Sequence, residues 1–359
     1  MEDHNEHNKD NSELSNTNES NDKIDSKYEI ENSADDKLNF QNRIDLSELK
    51  EGITLIKNEI RKVIVGQDKM IDLLITSILA GGHALIEGVP GVAKTISAKL
   101  LAKSLKIGFN RIQFTPDLMP SDILGTSVFN IKSSDFEFKK GPIFSNMILI
   151  DEINRAPAKT QAALFEVMEE QQITMDGIKY AMDLPFIVLA TQNPVEQEGT
   201  YRLPEAQLDR FLFKINIDYP NLDEEIEIIN REQLLKGEEK TNIINAHLSK
   251  AKIKKFQGLV NQVVVEEHLV KYIANIIVNT RSNPFLYLGA SPRASIAMLK
   301  ASKAFAAING RDFITPEDIK QVAIPVLQHR VIVTPEREME GVSTIQIIKQ
   351  ILEAVEIPR

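Results

Sequence analysis

The amino-acid sequence predicts an α/β protein: a parallel five-stranded αβα sandwich followed by a smaller all-α domain. Three observations predict it. Short apolar runs alternate with helix-period segments between residues 83 and 217, the rhythm of a parallel sheet covered on both faces. A glycine-bearing loop over 88–95 joins the first of those runs to a helix. Beyond Tyr219-Pro220 the strand-like runs cease, and residues 222–333 read as helices.

The folded body is expected to begin near Asp45. Leu46, Leu49, Ile53, Ile56, Ile60 and Val63 recur at spacings of three and four, the stripe of an amphipathic helix. Asp45 is placed to cap it, with Glu48 three residues on. A second helix is predicted over 69–79. Strands are predicted over 83–87, 109–114, 147–150, 186–190 and 211–217, with helices over 95–105 and 158–170. The run 147–150 is wholly apolar, as a strand buried on both faces should be. Two hairpins interrupt the pattern. Residues 128–131 and 136–139 flank a polar turn, and 173–175 and 178–180 flank Asp176-Gly177, a tight-turn pair. Further on, Thr315-Pro316-Glu317-Asp318 reads as a helix start with proline at the first helical position. The expected division is a tail over 1–40, an αβα core over 41–220, a helical domain over 221–334, and a helical C-terminal tail over 335–359 packing on either.

A chain of 359 residues with 42% apolar side chains accommodates two globular units and a tail. The absence of cysteine excludes disulfides, thiolate zinc sites and cysteine nucleophiles. No apolar run approaches the roughly 20 residues that span a bilayer, and the polar, acidic N-terminus does not resemble a signal peptide, so the expected compartment is the cytoplasm. Of the formal charge of −10, −8 lies in residues 1–40, which hold 12 Asp/Glu against 4 Lys. That Asn- and Ser-rich head lacks the apolar surface to offset its ordering entropy and is expected to be disordered. A solvated leader and a partner-binding or self-inhibiting arm both fit it.

The chemistry concentrates in four places. Gly88-Val89-Pro90-Gly91-Val92-Ala93-Lys94-Thr95 has the strand–loop–helix context of a phosphate-binding loop. Glycines let backbone N–H groups turn inward, the helix N-terminus adds partial positive charge, Lys94 can reach the β- and γ-phosphates of ATP, and the Thr95 hydroxyl can ligate Mg²⁺. Ala93 stands where glycine usually precedes the lysine; a left-handed backbone there costs about 1 kcal/mol. An apolar strand then ends in Asp151-Glu152, placing two carboxylates at the sheet's carboxyl edge. Such acids also begin many helices. Beside a phosphate loop, Asp151 can hold Mg²⁺ and Glu152 can orient and deprotonate water. Asn193 lies just past the fourth strand, where its amide can position that water. Arg210, in Leu208-Asp209-Arg210-Phe211, follows a helix and by itself fits dipole compensation as well as catalysis. Arg293 falls in the first turn of a helix opened by Ser291-Pro292, where a cation is disfavoured. It therefore faces an anion, either an ATP phosphate or a surface carboxylate.

These signals in this order resemble the AAA+ ATPases, and in detail the MoxR family, from about residue 45 to the C-terminus. The resemblance rests on GVPGVAKT at 88–95, RIQFTPDLMPSDILG at 111–125, ILIDEINRAPAKTQAALFEVMEE at 148–170, ATQNPVEQEGT at 190–200, LPEAQLDRFLFK at 203–214 and GASPRAS at 289–295. Alanine before the lysine is typical of this family; Arg202 departs from its usual proline. The resemblance implies an AAA+ P-loop NTPase core with an all-α lid, using ATP and Mg²⁺. It implies that Lys94 and Thr95 form the Walker A pair and Asp151 and Glu152 the Walker B pair. Asn193 becomes sensor 1, Arg293 sensor 2, and Arg210 the arginine finger that serves a neighbouring subunit. Val65-Gly66-Gln67 becomes the segment around adenine. It further implies a hexameric ring with chaperone-like activity and a partner carrying a von Willebrand factor A domain.

Two relatives with other trades remain as alternatives, a nucleic-acid motor and a magnesium-chelatase-like motor subunit. A helicase grips phosphates with basic hairpins. Here Lys132, Lys139 and Lys140 share the first hairpin with Asp135 and Glu137, and Lys179 faces Asp176 in the second. No nucleic-acid binding is expected.

Overall fold

The structure, a computed structural model, describes residues 44–194, 200–235 and 239–357. The head expected to be disordered lies outside the described residues. The first helix, α1 (Ser47–Arg61), buries Leu49, Ile53, Ile56 and Ile60, the stripe read from the sequence. Its start differs from the expected cap. Leu46 is the N-cap residue, and the Asp45 carboxylate instead accepts the Ser47 N–H at 2.9 Å, one residue too early to reach the third helical residue. There follow α2 (Asp68–Ala80), β1 (His83–Gly88), α3 (Lys94–Ser104), β2 (Phe109–Gln113) and α4 (Pro120–Leu124). Next are the hairpin β3 (Gly125–Asn130) and β4 (Asp135–Lys140), then β5 (Met147–Asp151) and α5 (Ala158–Glu170). The second hairpin, β6 (Gln172–Met175) and β7 (Ile178–Ala181), turns on Asp176 and Gly177, both at positive φ as the two-residue turn requires. The α/β part ends with β8 (Ile187–Gln192), α6 (Glu205–Leu208) and β9 (Phe211–Ile217).

Five strands form one parallel sheet in the order β2-β5-β8-β1-β9, with β1 between β8 and β9. Alternation along each strand divides the interior in two. Ala84, Ile86, Leu149, Leu189 and Phe213 join a core with α1, α2 and α3; Leu85, Ile148, Ile150, Val188 and Ala190 join a second core with α5. These are the two covered faces the apolar runs predict.

The first core continues without a break into the second half of the chain. That half contains α7 (Leu222–Leu235), α8 (Lys250–Gln262), α9 (Glu267–Ser282), β10 (Leu286–Leu288), α10 (Pro292–Ile308), α11 (Pro316–Leu327), β11 (Ile332–Val333), α12 (Pro335–Met339) and α13 (Thr344–Ala354). α10 packs on α2, and α13 packs on α9 and α11. Thr315 caps α11 with a reciprocal Asp318 bond, as read from the sequence. The expectation of helices alone is corrected by the antiparallel pair β10–β11. Strands of three and two residues are too short to show a period, and Pro284, Gly289 and Pro335 bound them like loop residues.

Candidate active site

β1 delivers its last residue, Gly88, into the phosphate loop. A Cβ on Gly88 would lie 3.0 Å from the Ile217 carbonyl of β9, a close strand approach that favours glycine because any side chain would push the neighbouring strand by a few tenths of an ångström. Gly91 and Ala93 take φ of 90° and 64°, and Ala93 is the N-cap residue of α3, so the left-handed alanine is real. Lys94 opens α3, and its ammonium donates to the Gly88 carbonyl at 2.5 Å. Partial burial lowers the Lys94 pKa, opposed by the charges of Asp151, Glu152 and Glu87. The free N–H groups of the first turn of α3 make an anion site with that ammonium beside it.

Asp151 ends β5 and is buried. Its Oδ1 accepts the Thr191 hydroxyl at 3.0 Å; its Oδ2 accepts Arg111 Nε at 2.6 Å and lies 3.5 Å from the Thr95 hydroxyl. Two hard oxygen ligands converge here, a fit for Mg²⁺ completed by phosphate and water oxygens. Among the described residues no group of three or more His, Cys, Asp or Glu stands ready to hold a metal by itself. Glu152 adopts φ 59°, a left-handed kink that turns its side chain out of the strand's alternation. Its carboxylate accepts Gln113 Nε2 at 2.9 Å and pairs with Arg155 Nε at 2.9 Å. Asn193 is buried directly after β8. Because Ile150 faces Ala190 and Glu87 faces Gln192, Asn193 stands between the acids and the loop. Val65, Gly66 and Gln67 link α1 to α2. Gln67 Nε2 lies 3.5 Å from the Asp218 carbonyl just past β9, at the same sheet edge as the loop.

Arg210 and Arg293 lie elsewhere. Arg210 precedes β9, and Phe211 pairs with His83 at the start of β1. Five residue steps separate that level from Gly88, about 17 Å along the sheet. There Glu169, in the last turn of α5, accepts Arg210 Nη1 on Oε2 and Arg293 Nη2 on Oε1, the latter at 2.8 Å. Burial, then the charge of Arg293, lowers the Arg210 pKa. So Arg293 joins Arg210 and not Lys94 of its own chain. Beside them Arg330 is buried and bonded to Asp209 at 2.7 Å, while Asp209 also accepts the Ser291 hydroxyl at 2.8 Å.

The sequence reading passed over Arg111, Gln113, Arg155, Thr191 and Glu169. Two signals were present. Arg111 and Gln113 alternate on one face of β2, beside the strand that ends in the acids. Glu169 sits at a helix C-terminus, where an anion is disfavoured unless a cation meets it.

Similarity to known proteins agrees with this geometry. Residues 83–213 match the ATPase family associated with various cellular activities (AAA), and residues 278–351 match the AAA lid domain. The chain is 44% identical to the uncharacterized protein YeaC of Bacillus subtilis, over 83% of this chain and 92% of that protein. It is 40% identical to Chaperone MoxR1 of Mycobacterium tuberculosis, over 84% of this chain and 81% of that one. A solved structure from Cytophaga hutchinsonii, described as a candidate ATPase, superposes with a TM-score of 0.81 at 45% identity, covering 88% of this chain and 97% of that chain. With the phosphate loop, the paired acids and the helical lid in place, the chain belongs to the MoxR family of AAA+ ATPases.

Proposed function

We propose that the chain hydrolyses ATP to ADP and phosphate in a ring of identical subunits, a hexamer, and uses the cycle to remodel a partner protein. The observation that carries the ATPase reading is the gathering of Lys94, Thr95, Asp151, Glu152 and Asn193 at one sheet edge. The N–H groups of the loop and Lys94 bind the β- and γ-phosphates. Thr95 and Asp151 would hold Mg²⁺, which when bound would supply charge neutralisation at the phosphates. Glu152, its carboxylate directed by Gln113 and Arg155, accepts the proton of the attacking water while Asn193 orients that water. Val65, Gly66 and Gln67 are the proposed adenine-side segment, a reading supported by the approach of Gln67 to Asp218 at the same sheet edge as the loop.

Arg210 and Arg293 lie about a strand's length from their own phosphate loop, at the opposite end of β1, so both act on the ATP of the adjacent subunit. A mixing experiment tests this. Arg210→Ala and Glu152→Gln, each nearly inactive alone, regain part of their turnover when combined if intact arginines of one subunit serve intact sites of the next. No recovery, with mixed rings confirmed by mass, sinks the trans-acting model.

The remodelling role is favoured by the relative named Chaperone MoxR1. We infer a partner with a von Willebrand factor A domain and a cytoplasmic location; among the described residues no helix is long and apolar enough to cross a membrane. A nucleic-acid motor is disfavoured by the charge-balanced β3–β4 hairpin, where Glu137 pairs with Asn130 and not with a phosphate-gripping cluster. A magnesium-chelatase-like subunit is disfavoured by the MoxR-type strings alone.

A further inference from the structure

Glu169 has no part in the roles assigned above, yet it touches both arginines. Each of its carboxylate oxygens takes one guanidinium, Oε2 from Arg210 and Oε1 from Arg293. The two cations come from separate parts of the fold, Arg210 from the approach to β9 and Arg293 from the first turn of α10. Their charges repel, and among the described residues that line the hollow the carboxylates are Glu169 and Asp209. Asp209, the neighbouring carboxylate, is occupied by Arg330 and Ser291. The helix turn that carries Glu169 is held in place. The preceding Met168 carbonyl accepts His83 Nε2–H at 3.1 Å, and His83 Nδ1 accepts the Val188 N–H at 3.0 Å, which fixes the end of α5 to the sheet. Arg210 Nη1 also donates to the Phe165 carbonyl at 3.1 Å, while its Nε is buried without a partner. The hollow they line also contains Lys300 and Arg330. Four cationic side chains thus meet two carboxylates, an excess of two positive charges, and a terminal phosphoryl group carries nearly two negative ones.

We propose that Glu169 is a positioning residue that gathers Arg210 and Arg293 into one two-cation clamp for the terminal phosphoryl group of ATP held by the adjacent subunit. This rests on the trans-acting reading of the two arginines. Without Glu169 the guanidiniums separate, and the phosphate meets one of them out of place. A misplacement on the scale of 1 Å costs about 10²-fold in rate. A mere surface ion pair at this position would leave turnover untouched.

The test uses the full chain carrying Glu169→Gln, with Glu169→Asp as the charge-retaining control. Expected for Glu169→Gln are wild-type affinity for a fluorescent ATP analogue, an unchanged melting temperature within a few degrees, and kcat lower by about 10–100-fold; Glu169→Asp recovers part of kcat. Mixed with Glu152→Gln, the Glu169→Gln protein regains activity, because the defect lies in the arginines it offers its neighbour. Mixed with Arg210→Ala it regains none. An unchanged or raised kcat in Glu169→Gln overturns the proposal. So does failed recovery with Glu152→Gln where Arg210→Ala and Glu152→Gln do recover, since Glu169 then acts in its own site or in folding. Failure of that second mixture as well removes the trans-acting reading and the clamp together.

Discussion

Glu152 sits in a left-handed kink one residue beyond the acid that lies 3.5 Å from the Thr95 hydroxyl, and that kink supports the separate roles proposed for the adjacent carboxylates. Glu152→Gln should retain ATP binding and lower kcat by about 10²–10⁴-fold, the contribution of a general base, as single-turnover measurements with radiolabelled ATP would read. Lys94→Ala should instead lose nucleotide affinity, which a binding titration detects before any turnover is measured. Ala93→Val should weaken binding too, because a β-branched residue at φ 64° is a backbone outlier that distorts the loop. The residues named here were legible because they are neighbours in sequence within strings whose order is diagnostic. Arg111, Thr191 and Glu169 were not, because their partners lie 40, 40 and 124 positions away, and only the register of the sheet and the seat of α10 bring them together.

Among the elements, β1 carries two functions at its two ends. Its first residue, His83, is fully buried, and burial pushes its pKa down to about 4, against the partial opposing effect of the Met168 carbonyl. Unfolded, the same imidazole titrates near 6.5. Between those values the unfolded chain binds a proton that the native chain refuses, so stability falls as pH drops from about 6.5 to 4, by about 3 kcal/mol from this residue. Buried His329, also shifted downward, adds loss in the same direction. Denaturant midpoints should therefore fall across that window, and His83→Gln should show a shallower pH slope without abolishing it; an unaltered slope would contradict the assignment. The sheet strands were legible to within two residues because four of the five are largely apolar runs that are buried; the edge strand β2, FNRIQ, shows only Phe109 and Ile112 as apolar positions. β10 and β11 were invisible because two- and three-residue strands have no alternation to display, and their pairing joins segments more than 40 residues apart.

At the scale of the whole molecule, the sequence reads as a core and a helical half in separate units, with the change near residue 220; in the structure β9 ends at Ile217 and α7 begins at Leu222. What that reading lacked is the join. Apolar residues of α2, α10 and α11 form one continuous interior, and the described residues from 44 to 357 cluster as a single compact unit. The electrostatic balance of the body gives a further expectation: anisotropy titrations at physiological salt should find no tight binding to single- or double-stranded DNA, whereas salt-sensitive nanomolar affinity would revive the motor reading. The join has a thermal signature of its own. Arg330, between α11 and β11, reaches to Asp209, to the carbonyls of Phe211 and Leu212, and through Asp209 to Ser291. Each piece is thereby denied an independent melt. Scanning calorimetry should record one endotherm with matching calorimetric and van't Hoff enthalpies, and Arg330→Ala should lower its midpoint by leaving Asp209 without its main cation, a loss of about 3–5 kcal/mol. A lid fastened in this way does not swing like a door over its own nucleotide. If the proposed ring forms, a hydrolytic event at one phosphate loop would be expected to pass to the next subunit as the tilt of a whole subunit, with the gaps between subunits as the joints of the machine.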